Sequence, residues 1–344
     1  MKKFIFKTLL FTVPFLALYI ITSLFYSTKE TPDLLRLGYI PNIYQDYRKA
    51  FDFSKTKKYE LLSKSKHRKF KILTIGDSFS EQGAIGYKNE LANDFTVLHV
   101  NRFISNNQIQ TLMNLVNGDF FDTYKIKYVV LQNVERFIID NSENIDSNSK
   151  LTIKDIDTLV ANSKPKKEVF KYDFFSSATL KFPLSSTLFF FKENYLSNKQ
   201  VYNVQLNSKS LFSNNSDKLL FFYQDFTQTN KNNLVENSEK LNEILNTISG
   251  KLKQKNIKLI VLPSPDKYDM YYDYIVDKKS FTKPLFFENF KKLKKDYSYI
   301  DSKKILSEKL KTQKDIYFFD DTHWSPIASK LIANEIKNVI KKAP

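Results

Sequence analysis

Short apolar runs in the first half of the chain have the length and spacing of buried strands. Such runs lie at residues 70–75, 95–100 and 127–131, and a segment with helical periodicity at 108–116 separates the last two. A further helix is expected at about residues 81–93, after the first run. Strands that alternate with helices predict a parallel sheet with helices on both faces.

The same alternation returns in the last third of the chain, with a helix at 235–255, a buried strand at 257–262 and a final helix at 326–341. From about residue 140 to 230 it stops, and Asn, Ser, Lys and Phe dominate, with an apolar burst at 188–191. We interpret this region as a long insertion of helices and loops. Its composition fits a lid, a substrate-binding excursion or a partner surface.

The N-terminus has the pattern of a membrane segment. Three lysines precede an uncharged apolar run over residues 8–26, which would be about 28 Å long as an α-helix. The run ends in Leu-Phe-Tyr-Ser, without the small residues of a signal-peptide cleavage site. An uncleaved signal anchor is therefore predicted over residues 1–30, with a cleaved signal peptide as the alternative. Basic residues before the helix predict an N-terminus in the cytoplasm, a single pass through the inner (cytoplasmic) membrane and an extracytoplasmic remainder.

Three parts are predicted: the anchor (1–30), a polar stalk and lead-in (31–69), and an α/β domain (70–344) that carries the insertion at about 140–230. The chain has 344 residues and no cysteine, which excludes disulfides, thiolate nucleophiles and Cys-ligated zinc. Its formal net charge is +17, but the lysines are scattered and show no nucleic-acid-binding motif. We therefore predict no nucleic-acid partner. Attraction to an anionic membrane surface or an acidic polysaccharide fits this charge.

Two short segments carry the candidate chemistry. Residues 76–80 (Gly-Asp-Ser-Phe-Ser) place Ser78 between a strand and a helix, where backbone N–H groups face developing negative charge. His323 lies beside Asp320 and Asp321, and a carboxylate on its ring would let it act as the base for Ser78. Helix capping is the alternative use of Ser78. A metal site would need further ligands, and only three histidines exist, so no metal or cofactor is predicted.

These segments carry a family resemblance. Residues 76–80 resemble the first sequence block of the SGNH hydrolase superfamily, and residues 321–324 (Asp-Thr-His-Trp) resemble its last block in the alginate-acetyltransferase-like branch. Residues 133–136 (Asn-Val-Glu-Arg) and 265–268 (Pro-Asp-Lys-Tyr) are similar to segments that follow the third and fourth strands in that branch. The resemblance spans about residues 70–342 and implies an SGNH-type (flavodoxin-like) parallel sheet.

The resemblance implies Ser78 as nucleophile, His323 as base and Asp321 as the carboxylate that orients it. Many members of the superfamily use the Asp three residues before the His, which would be Asp320 here. The oxyanion glycine of the second block is not evident near residues 100–102.

Four further residues are candidates for the oxyanion hole or for substrate binding: Asn133, Arg136, Lys267 and Trp324. Asn133 is the candidate for the Asn of the third block, and Lys267 lies in the Pro-x-Lys segment. For Arg136, an anionic sugar and the neighbouring Glu135 are alternative partners. For Trp324, the alternatives are stacking on a sugar and a core position that supports His323.

The resemblance implies an extracytoplasmic O-acetyltransferase for a cell-surface or secreted polysaccharide, supplied with acetyl groups by a multi-spanning membrane acyltransferase. A carbohydrate acetylesterase would use the same residues with water as the acceptor. A non-catalytic polysaccharide-assembly protein that keeps the fold is the third hypothesis.

Overall fold

The computed structural model describes residues 1–25, 32–38, 51–52, 54–100, 102–104, 107–162 and 200–342. In chain order its strands are β1 (Glu60–Leu61), β2 (Ile72–Ile75), β3 (Val97–His99), β4 (Tyr128–Val134), β5 (Val201–Gln205), β6 (Lys218–Phe222), β7 (Lys258–Ser264) and β8 (Ser298–Tyr299). Its α-helices are α1 (Lys2–Phe25), α2 (Asp33–Leu37), α3 (Tyr87–Leu91), α4 (Gln108–Asn117), α5 (Phe120–Thr123), α6 (Glu135–Ile138), α7 (Ile153–Asn162), α8 (Tyr223–Thr227), α9 (Thr229–Asn232), α10 (Val235–Gln254), α11 (Lys267–Tyr271), α12 (Phe286–Phe290), α13 (Ser302–Leu310) and α14 (Pro326–Lys342).

Six strands form one sheet in the order β1-β3-β2-β4-β7-β8, and every neighbouring pair is parallel. Without the two-residue edge strand β1, the remaining five follow the spatial order 2-1-3-4-5 of the flavodoxin-like arrangement. The predicted fold class, a parallel α/β sheet of SGNH type, is confirmed. In such sheets ligands bind beyond the carboxyl ends of the strands, and we call this edge the C-terminal rim.

Alternate residues of each strand enter different hydrophobic layers. Ile72 and Val130 face the layer that includes α3 and α14, whereas Leu73 and Val129 face the layer that includes α4, α10 and α12. Both faces of the sheet are therefore covered by helices, which explains why its central strands are mainly apolar.

At Gly76, directly after β2, the chain passes too close to its neighbours for a side chain. A Cβ atom there would lie 2.0 Å from Ser80 Oγ and 2.6 Å from Gln132 Oε1. Ser80 Oγ donates to Gln132 Oε1 over 2.8 Å and lies 2.8 Å from Tyr87 Oη, so these buried groups are tied to one another. A glycine at this position lets the turn that carries Ser78 pack against the rim.

Replacing Gly76 by alanine is expected to lower the free energy of unfolding by about 1–3 kcal/mol, because Ser80 and Gln132 must give up their bonded positions. Urea denaturation measures the change. The matched control is Gly250→Ala, where nothing lies within 4 Å of the added Cβ on α10, and helix propensity favours Ala there by about 1 kcal/mol. Equal midpoints for Gly76→Ala and the parent chain would contradict this account of the turn.

The predicted insertion, at about 140–230, differs from expectation in two strands. β5 and β6 pair as an antiparallel hairpin, and the Phe221 ring of β6 packs on Tyr268 with centroids 5.0 Å apart. The region therefore contains strands as well as helices and loops. Burial alternates along β5, and β6 is a short apolar run, so both sequences are compatible with strands. The polar residues around them make this pattern hard to recognise in the sequence. The predicted apolar burst at 188–191 lies outside the described residues.

Two features of the N-terminal part bear on the site. α1 is long and apolar enough to cross a membrane, with a mean hydropathy of 2.1 over Lys2–Ile21, a test that a signal sequence also passes. In the segment expected to be stalk and lead-in (31–69), α2 and β1 are built into the α/β body: Leu34 and Leu35 of α2 are buried, and β1 pairs with β3. Two elements of the α/β body, α2 and β1, thus precede the predicted domain boundary at residue 70.

Candidate functional site

A tight loop between α13 and α14 presents His323. Tyr317 and Trp324 form an isolated antiparallel bridge, and Phe318 N–H donates to His323 O over 3.2 Å. Within the loop, His323 Nδ1 lies 2.6 Å from Asp321 Oδ1, which also accepts from His323 N–H over 3.1 Å. A carboxylate only accepts hydrogen bonds, so Nδ1 is the protonated nitrogen. The structure thus brings together the predicted base and the Asp two residues before it.

The other ring nitrogen of His323, Nε2, is buried and has no hydrogen-bond partner among the described residues. The side chain itself keeps 18% of its surface exposed. Burial alone would lower the pKa of His323, but the Asp321 carboxylate, its hydrogen bond and Asp33 outweigh burial and raise it. This nitrogen is therefore a lone-pair acceptor with no other use in the described part of the chain, as a general base requires.

Ser78 opens a short 3-10 turn, Ser78–Ser80, directly beyond β2. The cap of this turn is Asp77: its Oδ1 accepts from Phe79 N–H over 2.9 Å, and its Oδ2 accepts from Val134 N–H over 2.5 Å. Burial raises the pKa of Asp77, while these hydrogen bonds lower it in part. Because Asp77 performs the capping, the alternative of Ser78 as the cap does not hold, and the Ser78 hydroxyl is not used for it.

The turn and the histidine loop touch through aromatic rings. The Phe79 ring lies 4.9 Å from the His323 ring and 5.1 Å from the Trp324 ring, measured between centroids. Ser78, next to Phe79, is half-buried. No hydrogen bond joins Ser78 Oγ to His323 Nε2 within the described residues. In sites without substrate such bonds are often long and tighten on binding.

Trp324 occupies a core position. It is fully buried, and its Nε1–H donates to Gln82 Oε1 over 2.8 Å while Gln82 Nε2 donates back to Trp324 O over 2.6 Å. No face of the ring is left for a sugar, so of the two predicted alternatives the structure favours the core position beside His323. The reciprocal pair with Gln82, which lies two residues beyond the turn of Ser78, ties this part of the chain to the histidine loop.

Lys267 is also fully buried, which corrects its assignment to substrate contact. Its ammonium donates to Phe319 O over 2.6 Å and to Asp321 O over 3.2 Å, so it fixes the backbone of the histidine loop from the buried side. Burial lowers the pKa of Lys267 to about 7, an effect that Asp320 and Asp321 oppose.

Neither predicted partner of Arg136 is the observed one. Arg136 Nη1 donates to Asp225 Oδ1 over 2.8 Å and to Asp266 Oδ1 over 2.7 Å, and its side chain is only 5% exposed. Asp225 comes from the insertion, which is why a motif-based prediction did not find it. The guanidinium carbon lies 5.8 Å from the centroid of Phe79, so Arg136 braces the ring that contacts His323 and is closed to an anionic sugar.

Asn133 is buried, and its side-chain amide donates to Gln108 Oε1 over 3.0 Å. Gln108 Oε1 also accepts from Asn141 Nδ2 over 3.1 Å. This N–H is therefore directed at α4, and the oxyanion role of Asn133 stays a prediction.

Asp33 is the residue that sequence patterns missed. Its carboxylate accepts from Thr322 N–H over 2.8 Å and from Thr322 Oγ1 over 2.6 Å, and Oδ2 lies 3.7 Å from His323 Nδ1. Ligand atoms of Asp33, Asp321 and His323 lie within 4.8 Å of one another, a spacing that a cation could also use. The prediction of no metal stays a prediction.

One family model matches the part of the chain that carries the histidine loop. The family model of the SGNH hydrolase-like domain, acetyltransferase AlgX, matches residues 215–344, whereas Ser78 lies outside the match. Searches among curated proteins and among solved structures gave no match. The predicted resemblance to the alginate-acetyltransferase-like branch is confirmed. An apolar N-terminal helix, of the kind that serves as anchor or signal, precedes this extracytoplasmic type of domain. Residues 215–344 of this chain are thus similar to the SGNH hydrolase-like domain, acetyltransferase AlgX.

Proposed function

We propose that this chain is a membrane-anchored, extracytoplasmic O-acetyltransferase that modifies a polysaccharide through an acetyl-enzyme on Ser78. One observation carries the proposal: Asp321 binds Nδ1 of His323, and the free Nε2 lies in the loop that packs on the turn of Ser78. The match of residues 215–344 to the model of an acetyltransferase domain supports the same chemistry.

In the proposed reaction Ser78 Oγ attacks the acetyl carbonyl carbon while His323 Nε2 takes the hydroxyl proton. The leaving group departs with that proton and leaves an ester on Ser78. A sugar hydroxyl then loses its proton to Nε2 and attacks this ester. Nε2 gives the proton to Ser78 Oγ as the ester bond breaks, and the acetylated polymer is released. Asp321 stabilises the imidazolium present in both steps. The backbone N–H of Ser78, at the start of its turn, is our candidate donor to the oxyanion.

The N-terminal part supports a membrane-delivered acetyl donor. Asp33, which binds the histidine loop, follows the last residue of α1 by only eight positions, and such a chain spans at most about 29 Å. With α1 as the anchor, the site is held close to the membrane surface. We therefore propose a single-pass protein of the inner membrane, with its N-terminus in the cytoplasm, that receives acetyl groups from a multi-spanning acyltransferase.

The pH dependence follows from the neighbours of His323. The base must be neutral, and the carboxylates raise its pKa above the ordinary value of about 6.5. The acid limb of kcat/KM is expected to have its midpoint above pH 6.5, with the rate falling as pH drops through it. A pH profile with an aryl acetate tests this, and a midpoint at or below 6.5 would contradict the assigned electrostatics.

The function is tested by acceptor competition. The full chain in lipid nanodiscs is incubated with an aryl acetate and with acidic or neutral oligosaccharides, and mass spectrometry scores acetylated sugar against free acetate. The proposal predicts acetylated sugar that is absent with Ser78→Ala. Acetate alone, still dependent on Ser78, would instead support the acetylesterase, and no Ser78-dependent product would support the non-catalytic assembly protein.

A further inference from the structure

The segment that follows the apolar helix is built into the site. Leu34 and Leu35 of α2 are 0% and 2% exposed. Leu34 N–H donates to Asp320 O over 3.2 Å, which joins the start of α2 to the histidine loop. Burial of these two side chains fixes the helix, and its first residue, Asp33, is thereby held against Thr322.

Asp33 bonds the histidine loop at three points. Both of its carboxylate oxygens accept from Thr322, over 2.8 Å from the N–H and 2.6 Å from the hydroxyl. The backbone N–H of Asp33 donates to Asp321 Oδ2 over 3.4 Å, on the oxygen that does not bind His323. Asp33 therefore orients both the residue before the histidine and the carboxylate that binds it.

The charge of Asp33 also reaches the imidazole. Its Oδ2 lies 3.7 Å from His323 Nδ1, and its side chain is only 15% exposed, so solvent screens little of the attraction. Burial, followed by repulsion from Asp321, raises the pKa of Asp33 to about 6. Among the described residues, Arg136 also acts on His323, and Asp320 and Asp225 act on the neighbouring Lys267.

We propose that Asp33 is a positioning residue of the acyl-transfer site, which holds Thr322 and Asp321 in register and adds a second negative charge beside His323. This inference rests on the proposed function. Its consequence is that the membrane-proximal segment completes the site: when Nε2 takes the proton of Ser78, the imidazolium is stabilised by two carboxylates, one from each end of the chain.

A cation bound to Nδ1 of His323 would have to displace the hydrogen that Nδ1 donates to Asp321.

The test is a titration of His323 by NMR in the full chain, labelled at histidine and held in detergent micelles. The chain has only three histidines. Burial lowers the pKa of His99 to about 4, which sets its signal apart, and the signal of exposed His67 is assigned by its absence in His67→Gln. Asp33→Asn is expected to lower the pKa of His323 by about one unit. The matched control Asp52→Asn removes an exposed aspartate of the same N-terminal part and is expected to leave this pKa unchanged.

Activity gives the second readout, taken as the aryl-acetate rate above that of Ser78→Ala. Asp33→Asn is expected to lower kcat about tenfold, with its acid limb shifted downward like the NMR value. Thr322→Val removes one hydrogen bond to Asp33 and keeps the charges of Asp33 and Asp321. It is therefore expected to lower kcat less than Asp33→Asn does and to leave the acid limb of the pH profile in place.

An unchanged His323 pKa in Asp33→Asn overturns the proposal, and so does a rate loss matched by a loss of stability with the pKa unmoved. If Asp33→Asn does not fold, Asp33→Glu decides: the charge stays while its position changes, so kcat should fall about threefold or more with the pKa of His323 nearly constant. A wild-type kcat for Asp33→Glu would overturn the positioning role of Asp33. The titration is repeated in the Ser78→Ala background. There it measures the effect of Asp33 on the pKa of His323 even if the proposed function fails.

Discussion

Replacing Ser78 by alanine is expected to abolish acetyl transfer, lowering kcat by about 10⁴–10⁶-fold. Ser78 Oγ is the atom that carries the acetyl group in the proposed reaction, so no acetyl-enzyme can form without it. Because the side chain is half-buried and does not cap its turn, the substitution leaves the fold intact. Steady-state rates with an aryl acetate, together with the thermal midpoint Tm, measure both effects.

The matched control is Ser80→Ala, two residues along the same turn. Ser80 Oγ bonds Gln132 and lies against Tyr87 in the buried layer, so its loss is expected to cost about 1–3 kcal/mol of stability and little of kcat. The opposite pattern, with activity lost in Ser80→Ala and kept in Ser78→Ala, would remove Ser78 from the mechanism.

Asp321→Asn is expected to lower kcat by about 10³–10⁴-fold. The amide cannot offer His323 a negative charge, and it can present an N–H to Nδ1 and so favour the wrong tautomer. The same substitution at Asp320 is expected to cost no more than about tenfold, because Asp320 acts on this corner through its attraction to Lys267.

Parallel kinetics of the two variants, each with its pH profile, check this ranking. Asp321→Asn should also move the acid limb downward, whereas Asp320→Asn should leave it near that of the parent chain. A larger loss in Asp320→Asn would show that the superfamily's other spacing, with the carboxylate three residues before the histidine, operates here.

The central strands of the sheet could be predicted because they are buried on both faces. Residues 72–75, 128–131 and 259–262 are almost entirely apolar, and a run of this kind identifies a strand wherever helices separate it from the next. Pairing of Asp321 with His323 was likewise open to prediction, because two residues in one short loop must lie close together.

Long-range contacts were not open to the same reasoning. Asp33 reaches Thr322 across 289 positions, and its only local signal is a Pro-Asp pair before three leucines, typical of a short amphipathic helix. Arg136 meets Asp225 across 89 positions, from within an insertion that has no periodic pattern. Burial decided these partners, and burial depends on the assembled fold.

Labelling with a fluorophosphonate is the sharpest test of the Ser78–His323 pair, because this reagent reacts with serine hydroxyls that a neighbouring base activates. We expect one adduct on the full chain, mapped to Ser78 by peptide mass spectrometry and lost in both Ser78→Ala and His323→Ala. An adduct at Ser78 that persists unchanged without His323, or no adduct at Ser78 in a folded chain, would contradict the pairing of these two residues.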